Sequence, residues 1–151
     1  MIYEHVGITV SDLERSIDFY ANALGFSILK KTPINAYIYK GTDMIEIVKA
    51  ENPSDKENLK TPMGLKDLMT KRAGLYHIGF RVDDLDDAVE RIEKYGGKLI
   101  VPPEKYEPKL ESVANVTDDK LKRAASPIGK PFWRIAVFAD PDGILIELLE
   151  R

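Results

Sequence analysis

The sequence predicts an α+β fold built from two tandem βαβββ modules, and three observations carry that prediction. The first is an internal repeat. The chain has two histidines, and each opens the same short motif: His5-Val6-Gly7-Ile8-Thr9-Val10-Ser11-Asp12-Leu13 and His77-Ile78-Gly79-Phe80-Arg81-Val82-Asp83-Asp84-Leu85. With one histidine in place, the other reaches the matching position by chance in roughly 1 of 150 placements. The second is a switch of hydrophobic period within each copy, from alternation to helical spacing, which reads as a strand followed by a helix. The third is a pair of matching apolar runs, each interrupted by one carboxylate: Met44-Ile45-Glu46-Ile47-Val48 and Ile144-Leu145-Ile146-Glu147-Leu148-Leu149.

Module one is read as residues 1–50. Val6, Ile8 and Val10 point to one side of the first strand and His5, Gly7 and Thr9 to the other, so the apolar set packs on a helix. Ser11 with Glu14 fits a capping box, Leu13, Ile17, Ala21 and Leu24 follow at helical spacing, and Gly25 stops the helix. Strands are expected at Phe26 to Lys30, Asn35 to Gly41 and Met44 to Lys49. Residues 51–73, with Pro53, Pro62 and Gly64, read as a linker.

Module two, residues 74–151, repeats the order. Tyr76 to Val82 alternates in the same phase, Asp84 caps a helix with a Leu85, Ala88, Val89 and Ile92 stripe, and Gly96-Gly97 ends it. Residues 102–131 are rich in proline and basic residues with weak periodicity and read as an insertion, a surface loop or lid. Phe132 to Ala139, the turn Asp140-Pro141-Asp142-Gly143 and a strand from Gly143 to Leu149 complete the module. Tyr37, Tyr39, Phe132, Trp133 and Phe138 are candidates for a pocket or for core packing.

Composition bounds the chemistry. A chain of 151 residues with 44% hydrophobic residues suits one compact domain. A net charge of −3 without a basic stripe argues against nucleic acid as a partner. The absence of cysteine excludes disulfides, thiolate nucleophiles and zinc–thiolate sites, so any metal must use nitrogen and oxygen ligands. No apolar run is long enough to span a bilayer, and the expectation is a cytoplasmic protein.

Glu46 and Glu147 stand out against that background. An ionised carboxylate buried without a partner costs several kcal/mol, so each must be protonated, paired with a cation or placed on an open face. Each module thus offers one histidine near its start and one glutamate near its end. Two imidazoles and two carboxylates suit a divalent ion such as nickel, cobalt, zinc, manganese or iron. A βαβββ module presents the sheet face opposite its helix, and two such faces closing on a common cleft would bring His5, Glu46, His77 and Glu147 together.

The paired His-x-Gly-x-x-Val-x-Asp-Leu motifs, Ser16-Ile17-Asp18-Phe19-Tyr20 leading to Leu24-Gly25-Phe26, and Asp140-Pro141-Asp142-Gly143 leading to Ile146-Glu147-Leu148 together resemble the vicinal oxygen chelate superfamily. The superfamily includes glyoxalase I, methylmalonyl-CoA epimerase, extradiol dioxygenases, fosfomycin-resistance thiol transferases and metal-free drug-binding proteins. Position by position, His5, Glu46, His77 and Glu147 match the four metal ligands of glyoxalase I, whose second ligand is a carboxylate. The epimerase often has glutamine there, and the dioxygenases use two histidines and one glutamate.

The resemblance implies one divalent ion per site, with nickel, cobalt or zinc favoured and manganese or iron as alternatives. It also implies a small substrate with adjacent oxygens, with or without a thiol link, and a homodimer. Glu147 is the first candidate for general base and Glu46 the second. Glutathione-using relatives commonly carry an arginine four residues after the first histidine. Here that position is Thr9, and Arg81 holds the equivalent place in module two, so Arg81 and Thr9 are the candidate substrate contacts. The implied function is a glyoxalase I-like lyase or isomerase converting a hemithioacetal to a thioester. The alternatives are an acyl-CoA epimerase, an iron(II) extradiol dioxygenase and a non-catalytic small-molecule binder.

Overall fold

The computed structural model describes residues 3–52, 74–75, 77–106 and 133–150. Module one runs β1 (Val6–Val10), α1 (Leu13–Leu24), β2 (Ser27–Lys31), β3 (Asn35–Lys40) and β4 (Asp43–Lys49). Module two repeats it as β5 (Ile78–Val82), α2 (Leu85–Lys94), β6 (Lys98–Tyr106), β7 (Trp133–Ala139) and β8 (Leu145–Glu150). Each module forms its own four-stranded sheet, ordered β1-β4-β3-β2 and β5-β8-β7-β6. The first strand of each lies parallel to the last, and the remaining pairs are antiparallel. Two βαβββ modules in an α+β fold are what the repeat predicts.

Strand alternation behaves as the sequence implies. Ile8, Val10, Ile38, Ile45 and Ile47 are buried in the core beside α1, while Gly7 and Thr9 are exposed on the opposite face. The helix start differs from expectation by one residue. Asp12, not Ser11, is the N-cap of α1, its carboxylate accepting from Arg15 N at 3.1 Å, just as Asp84 caps α2 through Asp87 N. The offset that carries His5 to His77 also carries Asp12 to Asp84, and the repeat outweighs the local capping-box pattern.

Ser11 is used elsewhere, and its partner explains how the modules join. Its backbone N–H and hydroxyl both donate to Asp142 Oδ1, at 2.9 and 2.6 Å. Asp142 Oδ2 accepts from Arg15 and from the Ser16 hydroxyl, each at 3.0 Å. Beside it, the buried Tyr20 hydroxyl donates to Asp140 Oδ2 at 3.1 Å. Burial, and next the Asp140 charge, push the Tyr20 pKa up. The turn of module two thus clasps the first turns of α1.

The helix accordingly buries more than the expected stripe. Leu13, Ile17 and Leu24 are buried and Ala21 is half-buried, while Ser16, Phe19, Tyr20 and Ala23 form a second buried stripe at helical spacing. Three of these four reach module two: Ser16 and Tyr20 through the aspartates, and Phe19 against Gly97. A Cβ on Gly97 would sit 2.3 Å from Ile92 Cγ2 and 3.2 Å from the Phe19 ring, so this approach requires glycine. The modules meet through α1 and α2, with Phe26 and Phe80 in edge contact at 5.8 Å. Removing the Asp142 carboxylate, whose side chain is 2% exposed, would strand several of these donors at once. Asp142→Ala is expected to lower unfolding free energy by about 2–4 kcal/mol in denaturant titration. A change below about 0.5 kcal/mol would mean that the clasp contributes nothing.

The expected insertion begins later than residue 102, because β6 continues through Pro102 and Pro103 to Tyr106. Two residues without N–H groups fit there because β6 is the edge strand of its sheet, and its register against β7 shifts between Val101 and Glu104. The rest of that segment, together with Tyr76 and Phe132, lies outside the described residues. Phe138, one of the aromatic pocket candidates, is fully buried core. Among the described residues no helix is long and apolar enough to cross a membrane.

Candidate functional site

The parallel pairing of first and last strands positions the site in each module. In module one Gly7 on β1 lies opposite Glu46 on β4, and in module two Gly79 on β5 lies opposite Glu147 on β8. Each histidine precedes its glycine by two residues and so shares the glycine's face. His5 Nε2 is consequently 3.6 Å from Glu46 Oε2, and His77 Nε2 is 3.4 Å from Glu147 Oε2. A Cβ at Gly7 would come within 3.9 Å of Glu46 Oε2, and one at Gly79 within 3.6 Å of Glu147 Oε2. Any longer side chain there would fill the space beside the carboxylate.

The two glutamates in apolar strands are now explained by an open face. All four side chains keep between 23% and 31% of their surface exposed, enough for solvent or a ligand to reach them.

Module one carries extra polar neighbours, of which the sequence offered only Tyr37, as a pocket candidate. The Asn35 amide donates to Glu46 Oε1 at 3.3 Å, and the Thr32 hydroxyl donates to Asn35 Oδ1 at 2.6 Å. Tyr37 lies directly across from Glu46 in the β3–β4 register and meets the His5 ring edge-on at 5.6 Å. Its hydrogen bond with Glu46 raises the Tyr37 pKa. Glu4 contacts His5 Nδ1 and is the leading cause of a raised His5 pKa. Once Glu46 was singled out, alternation along β3 would have placed Asn35 and Tyr37 on its face, but only the strand register says which residues are adjacent.

Thr9 and Arg81, the expected substrate contacts, stand on the same faces, one step further along their strands, opposite Val48 and Leu149. Both are exposed, and Arg81 has no ion-pair partner among the described residues. The four expected metal ligands fall into two pairs, one on each sheet. Among the described residues no group of three or more histidine, aspartate or glutamate side chains could hold a metal ion. Each pair presents a nitrogen and an oxygen donor on an accessible face. That donor set fits a borderline divalent cation.

The paired His–Glu faces on a repeated βαβββ frame have a counterpart among known families. The family model described as Glyoxalase/Bleomycin resistance protein/Dioxygenase superfamily matches residues 2–148. The chain belongs to this superfamily. The glyoxalase-superfamily chain is 31% identical to a lactoylglutathione lyase of Escherichia coli O157:H7, with 97% of this chain and 90% of that protein aligned. It is 29% identical to a probable chloroplastic lactoylglutathione lyase of Arabidopsis thaliana, of which it spans 35% while 97% of this chain is aligned. A catechol-2,3-dioxygenase of Bacillus subtilis is 31% identical over 61% of this chain and 31% of that protein. In fold, the chain is similar to a fosfomycin resistance protein from Mesorhizobium loti, with a TM-score of 0.61, 19% identity, and 100% and 94% of the two chains covered.

Proposed function

We propose that this glyoxalase-superfamily chain is a divalent-metal-dependent lyase or isomerase of the glyoxalase I type, converting a hemithioacetal into a thioester. The observation that carries the proposal is the matched pair of His–Glu half-sites, His5 with Glu46 and His77 with Glu147. A carboxylate in both halves favours proton-transfer chemistry over ring cleavage, which needs only one. The similarity to lactoylglutathione lyases across nearly the whole chain supports the same reading.

The half-sites lie on sheets whose helices pack together within one chain. A complete site then needs a second copy, with the module-one face of one chain opposing the module-two face of the other. A homodimer of this kind is isologous and holds two such sites.

His5, Glu46, His77 and Glu147 would hold a divalent ion, which would supply the Lewis acidity that makes the substrate C–H more acidic. Glu147 would take that proton and return it to the neighbouring carbon, while the hydroxyl proton passes to the former carbonyl oxygen, so that the hemithioacetal becomes an α-hydroxy thioester. Arg81, on the same face as Glu147 and exposed, is placed to hold a substrate carboxylate. Arg81→Ala is expected to raise KM for the glutathione hemithioacetal of methylglyoxal about 10-fold or more, with kcat near that of the parent. The adduct of a neutral thiol should be unaffected. An unchanged KM for the glutathione adduct would remove Arg81 from substrate binding.

The deciding experiment is metal content per chain after equilibration with nickel, cobalt, zinc, manganese and anaerobic iron(II), beside His77→Ala, with hemithioacetal turnover measured on each preparation. Roughly one ion per chain, lost in the variant and accompanied by thioester formation, is the expected result. No ion in either protein overturns the proposal. Retention of iron alone with oxygen uptake on a catechol replaces it with ring cleavage.

A further inference from the structure

The repeat allows the surroundings of the two glutamates to be compared position by position, and they are not alike. Asn35 pairs with Val48 and Tyr37 with Glu46 in module one, whereas Ile135 pairs with Leu149 and Val137 with Glu147 in module two. The strand positions that flank Glu46 with an amide and a phenol therefore flank Glu147 with two aliphatic side chains. The Asn35 amide is itself oriented, because the Thr32 hydroxyl donates to its oxygen at 2.6 Å and leaves the nitrogen facing Glu46 Oε1. The backbone N–H of Asn35 also donates to Thr32 Oγ1 at 3.0 Å, and Thr32 N to Asn35 O at 2.8 Å, which closes the turn before β3. Tyr37 braces the other member of the pair, His5, by edge contact. Among the described residues, Glu147 has no hydrogen-bond or ion-pair partner beyond His77.

We infer that Thr32, Asn35 and Tyr37 are positioning residues that hold Glu46 in place, and that the aliphatic neighbours of Glu147 leave that carboxylate less constrained in position. The inference rests on the reading above. Its physical basis is that groups hydrogen-bonded to a metal-ligating carboxylate fix its orientation, and their loss typically costs about 10- to 100-fold in metal affinity or activity. A carboxylate with no such partners is less fixed in orientation. The same scaffold could thus use two chemically identical side chains for two roles, as differing environments do for other carboxylate pairs.

Two measurements test this on the full chain. In the metal-free protein, the side-chain amide NMR signals of Asn35 should shift in Glu46→Gln and Thr32→Val, and stay in place in Glu147→Gln and Thr32→Ser. Signals that ignore Glu46→Gln overturn the clamp, whether or not the protein proves to be a lyase. In cobalt(II) titrations, Thr32→Val and Asn35→Leu should weaken binding about 10- to 100-fold, while Thr32→Ser retains it and kcat at saturating cobalt stays within a few-fold. Installing an amide beside the second glutamate, Ile135→Asn, should lower kcat without weakening cobalt binding. Unchanged cobalt affinity in Asn35→Leu, or a loss of kcat there as deep as in Glu147→Gln, overturns the division of roles. An intact clamp in a protein that turns over no hemithioacetal overturns the proposed function alone.

Discussion

Replacing Glu147 by glutamine is expected to lower kcat by about 100- to 10,000-fold, the usual contribution of a positioned general base. The amide keeps the size of the carboxylate and one oxygen donor, so the variant should still take up metal, though less tightly. It cannot accept a proton. At about 1.4 kcal/mol per tenfold, the loss corresponds to roughly 3–5 kcal/mol of transition-state stabilisation. Glu46→Gln should behave differently. Held by Asn35 and facing Tyr37, that side chain would, on the proposed division of roles, serve binding more than proton transfer, so its replacement should mainly raise the metal concentration needed for activity. Metal content and kcat measured on the same preparations separate the two effects. Equal losses of kcat at saturating metal in both variants would mean that the glutamates share the proton, and the asymmetry between Asn35–Tyr37 and Ile135–Val137 would then have no catalytic meaning.

A second large effect is expected on mixing two inactive proteins. One variant carries His5→Ala with Glu46→Gln, the other His77→Ala with Glu147→Gln, and each alone should have no measurable turnover. If a site joins the module-one face of one chain to the module-two face of the other, the mixed dimer contains one site with four native ligands and one with none. Random exchange makes about half of the dimers mixed, so activity should recover to roughly one quarter of the parent value. Sites formed within single chains would give no recovery, because every chain carries a defect. Sedimentation before and after mixing shows whether dimers formed and exchanged. Failure to recover in exchanged dimers would overturn the shared site and leave the half-sites without a partner.

Much of the arrangement was legible in the sequence because it depends on local rules. Alternation along a strand is local, so His5 and Gly7 had to share a face, as had His77 and Gly79. The parallel run of β1 beside β4 and β5 beside β8 then set each glutamate next to its histidine. The N-cap shows a signal present but misread. Asp12 corresponds to Asp84 through the repeat, yet the Ser11–Glu14 pattern looked adequate by itself. Its true partner, Asp142, is near the other end of the chain, and no local pattern can report a contact of that separation. The Ser16, Phe19, Tyr20 and Ala23 stripe was also visible, but nothing in its spacing says that a second module, and not solvent, covers it.

The neighbours of Glu46 were hidden for a related reason. Asn35 and Tyr37 become adjacent to it only through the β3–β4 register, and a slip of one residue would turn both to the other face. The continuation of β6 through Pro102 and Pro103 was hidden too, since proline argues against a strand unless the strand is known to lie at an edge.

The sequence by itself determined that the chain carries two copies of one module, each with a histidine near its start and a glutamate near its end, because repeats and strand period are properties of neighbouring residues. Only the tertiary structure decided that the two modules pack through their helices, that the two histidines and two glutamates stay in two separate pairs, and that, among the described residues, Glu46 accepts from a neighbouring amide while Glu147 does not. Those outcomes follow from strand register and from contacts such as Ser11 with Asp142 and Tyr20 with Asp140, which join residues more than a hundred positions apart.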